Sequence, residues 1–447
     1  MTMRIAATIR QYLLGSAFRK GATFLTVLTL ASYVLGLVRD ILFARTFGAS
    51  RLLDIYNAAF IIPDLLLNIF IAGALTAAFV PVFTHLLAHQ EEREAEKVAT
   101  TMLTAAPLTM FVIGLAAFIF MPQLARIVAP GFSPDELALL IRMSRLMLLS
   151  PLIFAVSNTL GNILISYEQF VGYGLSPILY NLGIIVGIPL ALAFGPIGLV
   201  WGVLAGAAGH LAARLIAIAR NGFRLAWPPD FRNRNFLSIV PLMLQRMAGQ
   251  PIEQLIFSVF TNIASTLGVG SVVVISFARN FQSVPVSLFG ISFATAVFAS
   301  LSRKAAIRER SGFLYHFKQT AIALALTTGI SAVFFYFFGE WVIRLFFGGG
   351  RFAEADIVRT GQVLAMFAFA IPAEAFIHLV RRSFYALKDT WTPILVTLPG
   401  LGAIAILSKL LVPRWGLIAM PGTFAAVFTL EVLILLFLLF RKLRAWQ

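Results

Sequence analysis

The sequence predicts an all-α polytopic membrane protein, with about twelve transmembrane helices in two parallel six-helix lobes around a central cavity. Three observations predict it. The 447 residues are 60% hydrophobic and only 12% charged, where soluble domains hold roughly 45–50% and 25%. Apolar runs of about 20 residues, the length that crosses a bilayer as a helix, recur along the whole chain. Landmarks of the first half also return in the second. Gly131-Phe132, Pro151 and Ser176-Pro177-Ile178-Leu179 recur as Arg351-Phe352, Pro372 and Thr392-Pro393-Ile394-Leu395, and Phe79 returns as Phe298. An even number of spans per copy preserves orientation, so the two copies run parallel about an axis along the membrane normal. The ten-residue alternating strands of a membrane barrel are absent.

Taken in order, the spans fall at 22–47, 56–86, 99–121, 140–166, 172–194, 196–219, 236–264, 269–301, 318–339, 361–386, 391–412 and 415–440. Residues 1–21 are basic and amphipathic without a cleavage site, and read as a cytoplasmic interfacial lead-in. The N-terminal lobe then occupies 22–220, a cytoplasmic linker 221–235, and the C-terminal lobe 236–447. Spans five and six meet at a short turn around Pro196, and 341–358 read as an interfacial helix and loop. Prolines inside spans, among them Pro63, Pro81, Pro241, Pro251 and Pro285, remove backbone hydrogen bonds and bend helices. They read as gating hinges or as ordinary features of membrane helix packing.

The net charge of +16 reports topology rather than nucleic-acid binding. Basic residues gather in alternate gaps: Arg93 and Lys97; Arg220, Arg224, Arg232 and Arg234; Arg303, Lys304, Arg308 and Arg310; Arg381, Arg382 and Lys388; and the tail at Arg441, Lys442 and Arg444. By the positive-inside rule both termini are cytoplasmic, and the same residues attract anionic lipid headgroups. The absence of cysteine excludes disulfides and thiolate chemistry. Neither a GxxxxGK[ST] loop nor an HExxH pair is present, and no catalytic constellation is visible, so the sequence does not read as an enzyme. Gly348-Gly349-Gly350 lacks a strand–helix setting and reads as a turn.

Charges inside apolar runs narrow the reading. Arg39, Asp40, Asp54 and Asp64 lie in or beside the first two runs. A charge in hydrocarbon costs about 2.5–3.5 kcal/mol on insertion scales unless it meets a partner or water. These residues are therefore expected to face the internal cavity of a transporter. Arg39 and Asp40 leave their helix about 100° apart, so they are expected to serve different partners. Arg39 reads as a phosphate contact, since its planar fork gives paired charge-assisted bonds, or as an ion pair with Asp54 or Asp64. Arg279 has polar neighbours in Asn280 and Gln282 and no acid within a turn, so its partner comes from another span or from an anionic ligand. Glu253 shares a face with Arg246 and is a candidate ion site. Glu374 and His378, at i and i+4, read as an ion-coupling pair or a packing pair. Glu431, and His210 with Arg214, are further candidates of that kind.

The stretch VLGLVRDILFARTFGAS…LLDIYNAAFIIPDLL…AGALTAAFVPVF joins ARIVAPGFSPDE at 125–136, GSVVVISFARNFQSVPVSLFGISFATAVFASLSR at 270–303 and RSFYALKDTWTPI at 382–394. Together these resemble the lipid II flippase (MurJ/MviN) family of the multidrug/oligosaccharidyl-lipid/polysaccharide exporter superfamily. The resemblance implies a flippase that moves a polyprenyl-pyrophosphate-linked cell-wall precursor across the bacterial inner membrane by alternating access. It implies a cationic cavity in which Arg39, Arg279 and Asp54 match family positions, with Asp40 and Gln282 beside them. It also implies a monomer whose partners are a polyprenyl-linked saccharide lipid and membrane lipids, with no nucleic acid. No metal or cofactor is expected beyond a coupling cation, sodium or a proton, or the membrane potential. The chain departs from the family pattern in places. Ser32-Tyr33 stands where members often have Ser-Arg, and Pro63-Asp64-Leu65-Leu66-Leu67-Asn68 stands where members have PNLLRR. Gln282 replaces an acid, and members commonly carry two helices beyond span twelve. Export of another lipid-linked glycan or amphiphile, and a non-transporting flippase-like scaffold, are the alternatives these departures leave open.

Overall fold

The computed structural model describes residues 16–69, 74–220, 222–247 and 251–444, with the side chains of 16–23, 74, 76–77, 245–246 and 251–253 outside that description. Eighteen α-helices fill the described residues. The first half contains α1 (Ser16–Phe47), α2 (Arg51–Leu67), α3 (Ala74–Ala88), α4 (Glu92–Ile119), α5 (Met121–Val128), α6 (Pro134–Met147), α7 (Leu149–Ser166), α8 (Phe170–Phe194) and α9 (Ile197–Arg220). The second contains α10 (Arg234–Met247), α11 (Pro251–Ser265), α12 (Ser271–Pro285), α13 (Ser292–Ala306), α14 (Arg310–Phe347), α15 (Glu354–Ala368), α16 (Ala370–Ala386), α17 (Trp391–Trp415) and α18 (Ala419–Arg444). A wider π-turn at Val286–Ile291 links α12 to α13, and a 3₁₀ turn at Gly416–Ile418 links α17 to α18.

The repeated landmarks of the sequence turn out to be repeated helices. α3 returns as α13 with both ends 218 residues on, and α8 returns as α17 with both ends 221 residues on. The break between α6 and α7 at Leu148 returns between α15 and α16 at Phe369. Gly195 and Gly416 end the matching helices α8 and α17 with φ of 83° and 59°. That left-handed geometry suits glycine, which has no Cβ to clash. The helix starts are specified locally as well. Ser133 and Glu136 cap α6 reciprocally, with Pro134 at its first position. Ala353 N–H donates to Asp356 at the start of α15.

By length and composition, eight described helices or helix runs are apolar enough to cross a membrane, or nine if the pair α15–α16, bent by 43°, is one span. One of these runs, Trp391–Arg444, has 54 residues, about twice the length of a single crossing, and turns at Gly416. The expected spans 56–86 and 236–264 are each divided, into α2–α3 and α10–α11. The protein is thus an all-helical, multi-pass membrane protein, and an expectation of twelve spans is consistent with these helices. Residues 341–347, expected as a separate helix, instead complete the 38-residue helix α14, and the loop expected after them begins at Gly348. No helix-stopping residue interrupts them before Gly348, and Arg344 fastens the helix end to Glu340 and Glu354. Most of the lead-in at 1–21 lies outside the described residues; α1 begins at Ser16.

The chain divides into two compact units. The first holds Ala58–Ile127 and Ser133–Gln254 together with the chain up to Phe43. Its core is built on Phe79, Phe83, Met102, Ile163, Phe236 and Ile239. The second holds Ala44–Asn57, Val128–Phe132 and the chain from Leu255. Its core includes Leu301, Phe313, Leu379, Phe384 and Leu435. Large apolar side chains such as Leu30, Val112, Phe194, Phe337 and Leu395 stay exposed, as helices immersed in lipid require.

Candidate functional site

In the first unit, Arg39 sits on α1 and turns back on its neighbour. Its Nε and Nη2 donate to Asp40 Oδ1 at 3.0 and 2.9 Å, and Nη1 donates to Asn181 Oδ1 on α8 at 3.1 Å. The two residues do share one spot, against the expectation from their 100° separation. The long arginine stem reaches around the helix surface, whereas the angle describes only where each Cβ departs. Asn181 also donates to Ser32 Oγ and to the carbonyl of Pro177, which ties α1 to α8. Arg39 keeps 27% of its side chain exposed and Asp40 keeps 13%, so the guanidinium is braced without being sealed. Asp64 lies within the field of Arg39. Asn68, where the family carries an arginine, donates to the Asp64 carbonyl at 2.9 Å.

Asp54 is placed differently from its expected role at the substrate. It is fully buried in the second unit, where Oδ2 accepts from Gly270 N–H at 2.7 Å and Oδ1 accepts from Val273 N–H at 3.0 Å. The first turn of a helix leaves N–H groups without intrahelical partners, and a carboxylate satisfies both these donors and the helix dipole. Asp54 therefore caps α12, the helix that carries Arg279. Gly270 is needed at this joint. Its φ is 81°, and a Cβ there would stand 2.3 Å from the carbonyl oxygen of Ala49. Arg51 completes the corner, 3.4 Å from Asp54 and stacked over Phe132.

Arg279 is enclosed within the second unit. Nη1 donates to Glu374 Oε2 at 2.6 Å, Nη2 donates to Glu374 Oε1, and Nη1 also meets Gln282. Gln282 Nε2 donates to the same carboxylate at 2.9 Å. Phe257 and Phe424 cover the guanidinium at 5.2 and 5.3 Å. Such a fork-to-fork pair is the strongest geometry available to arginine and a carboxylate. The acid that the sequence placed on "another span" is thus Glu374 of α16. The expected Glu374–His378 pair becomes secondary, since both oxygens of Glu374 serve Arg279 and Gln282 while His378 acts on it through its charge. The side chains of Glu253 and Arg246 lie outside the described residues.

Sequence reasoning gave little weight to a second buried cation. Arg214 of α9 donates to the Ser157 carbonyl at 2.6 Å, to Asn158 Oδ1 at 2.9 Å and to Ser176 Oγ at 3.2 Å, and lies over Tyr173. His210 Nδ1 and Ser157 Oγ are 2.7 Å apart beside it. Gly161 makes the room, because a Cβ there would come within 2.5 Å of Nη1. The available signal was the run of small and polar residues at 157, 158, 161 and 176 inside apolar spans. Among the described residues, no group of three or more His, Cys, Asp or Glu side chains is placed to hold a metal ion.

A doubled set of membrane helices, with Arg39 braced in the first half and Arg279 in the second, is the class of fold found in membrane transporters. Solved structures agree on the fold. A structure titled as lipid II flippase MurJ in an inward closed conformation matches with a TM-score of 0.79 at 24% identity, over 93% of this chain and 87% of its own. An inward-facing multidrug resistance MATE transporter of the MOP superfamily matches with 0.76 at 15% identity, over 93% and 95%. Residues 43–447 match the family described as lipid II flippase MurJ, and the chain belongs to that family. Curated relatives include a probable lipid II flippase MurJ of Buchnera aphidicola, 27% identical over 83% of this chain and 74% of its own. The lipid II flippase MurJ of Burkholderia cenocepacia is 27% identical over 87% and 77%.

Proposed function

We propose that this protein is a flippase that carries a lipid II-like, polyprenyl-pyrophosphate-linked precursor across the bacterial inner membrane by alternating access. The observation that carries this reading is the family match over residues 43–447. In this reading Arg39 and Arg279 neutralise the phosphates, and their acid partners have a definite task. Asp40 and Glu374 hold each guanidinium oriented in the absence of substrate, and the pyrophosphate displaces them by offering a denser negative charge. Exchange of one carboxylate for another anion keeps the arginine paired throughout, which avoids the cost of a bare buried charge. Arg39, partly exposed, is the earlier contact; Arg279, sealed by Glu374 and two phenylalanines, engages only when α16 gives way.

The chain carries no nucleotide-binding loop in its sequence, so the reading assigns the drive to the membrane potential or to a coupling sodium ion or proton. One charge moved through 100 mV supplies about 2.3 kcal/mol. The lobes 22–220 and 236–447 are the moving parts in this reading, with a monomer as the working unit and both termini in the cytoplasm. Translocation of lipid II in vesicles tests it. Arg39→Ala and Arg279→Ala are each expected to reduce translocation at least tenfold, and full activity in both variants would remove the mechanism. Native mass spectrometry of the purified protein identifies the lipid that accompanies it; a co-purifying glycan lipid without pyrophosphate would replace lipid II as the cargo.

A further inference from the structure

One carboxyl group in the second unit has no place in the phosphate-binding scheme. Glu431 lies midway along α18, within the run Trp391–Arg444 that is long and apolar enough to cross the membrane. Its residue exposure is 3%, and neither carboxyl oxygen has a hydrogen-bond partner. It is pressed onto the backbone of Gly400 on α17, where a Cβ would stand 1.8 Å from Oε1. Thr397, one turn from Gly400, places its hydroxyl on the Pro393 carbonyl at 2.9 Å and bears on Glu431 less than burial and Arg381 do. That hydroxyl also accepts from Arg381 Nη2 of α16 at 3.2 Å.

We propose that Glu431 is a proton-binding site of the second unit, carrying a neutral carboxyl against Gly400 and, once the proton leaves, a carboxylate drawn towards Arg381. An ionised carboxylate without donors in this setting bears a desolvation cost that neutralisation removes. The step is a simple proton transfer: water on one side protonates the carboxylate, and the carboxyl later returns the proton to water.

The charged groups around it fit this role. From α16, Arg381 is the cation whose field reaches Glu431. Glu374 on that helix is held by Arg279, His378 acts on Glu374, and Arg382 donates to the Ile291 carbonyl. On α17, Lys409 lies nine residues beyond Gly400, about 13 Å along the axis, and Arg414 lies further on. On α15, Glu354 is held by Arg344 and Arg359 by Ser271, while Asp356 caps the helix start. The 3₁₀ turn carries no charge. On α18 itself, the basic residues begin only at Arg441. Arg381 and Glu374 sit seven residues apart on α16, so they share a helix face. Through that helix a proton gained or lost at Glu431 bears on the acid that holds Arg279. That coupling rests on the flippase reading; proton binding itself does not.

Carbodiimide labelling of the purified full-length protein, read by mass spectrometry of the peptide containing Glu431, tests the site. An adduct at neutral pH that fades as pH rises, persists in high sodium and disappears in Glu431→Gln is the expected result. Labelling blocked by sodium at constant pH would overturn the proposal in favour of a metal-cation seat. Infrared difference spectra remove the dependence on reagent access. Loss of one protonated-carboxyl band in Glu431→Gln near neutral pH supports the proposal, and identical spectra overturn it. Gly400→Ala, which pushes the carboxyl from its place while leaving it in the chain, is expected to lower labelling several-fold. In vesicles, a flattened pH dependence of translocation in Glu431→Gln supports the link to transport. A wild type that binds the proton yet moves no lipid II sinks the flippase reading and leaves the site standing.

Discussion

Glu374 decides what Arg279 is free to do. The pair is buried, so removing either member strands the other's charge. Glu374→Gln and Arg279→Ala are each expected to destabilise the purified protein by about 3–5 kcal/mol, seen as a lowered thermal midpoint in detergent. Replacing both with apolar residues of similar size is expected to recover most of that loss, because the desolvation cost of two ions goes with them. Equal destabilisation in the single and double variants would argue that packing, and not charge, carries the effect. Asp54 makes a separate claim. Asp54→Ala leaves the N–H groups of Gly270 and Val273 unpaired, a loss of about 1–2 kcal/mol for a helix cap. It is also expected to impair translocation only through the position of α12, so the affinity for substrate falls in proportion to stability. A selective loss of activity in a fully stable Asp54→Asn would return Asp54 to the substrate site.

Between helices, small residues set the distances. Gly183, Gly187, Gly202 and Gly206 bring α8 and α9 into backbone contact: a Cβ at Gly202 would stand 2.4 Å from Gly187 Cα, and one at Gly183 would stand 2.2 Å from Gly206 Cα. In lipid, such close approach replaces the hydrophobic effect as the source of helix association. Gly202→Val is expected to cost about 1–3 kcal/mol by overpacking, measured by thermal unfolding, whereas Gly114→Val, with open space around its Cβ position, is expected to cost far less. The α16–α17 loop carries a pH-sensitive tie. Asp389 accepts from Lys442 Nζ at 2.7 Å and from both the backbone N–H and the hydroxyl of Thr392. Burial works against its ionisation, but Lys442 and Thr392 outweigh it and hold the carboxyl below its usual range. A depressed acid lends stability that is present above its unfolded pKa, about 3.9, and lost as pH falls through the folded value. Lys442→Met is expected to lower the thermal midpoint modestly at neutral pH and to shrink its further drop on acidification, the two proteins converging once Asp389 is protonated.

At the scale of the whole molecule, the duplication is the organising fact. Matching helices begin and end at nearly constant offsets, down to the glycine that ends α8 and α17, so each half repeats one folding plan. The positive-inside rule then predicts from the charge pattern how that plan sits in the bilayer. The chain has no cysteine, so single substitutions report topology without background. Arg93→Cys and Arg310→Cys are expected to react with membrane-impermeant maleimide only from the cytoplasmic side, and Arg126→Cys and Arg351→Cys only from the outside. Labelling of Arg93→Cys from outside would reverse the assigned orientation.

The sequence by itself determined the class of protein: helices long and apolar enough for a membrane, arranged twice over, in a family known by its local motifs. These features are legible because span length, hydropathy and turn glycines act over a few neighbouring residues. It also picked out Arg39, Arg279, Asp54 and Glu374 as charges that must find partners. Only the tertiary structure decided which partners. Asn181 meets Arg39 from 142 residues away, Asp54 caps a helix 216 residues further along the chain, and Glu374 meets Arg279 from 95 residues away. The reason is physical. A buried charge dictates that something must neutralise it, but the low dielectric around it does not say what. That choice is made by helix packing, which brings together residues whose order along the chain holds no trace of their contact.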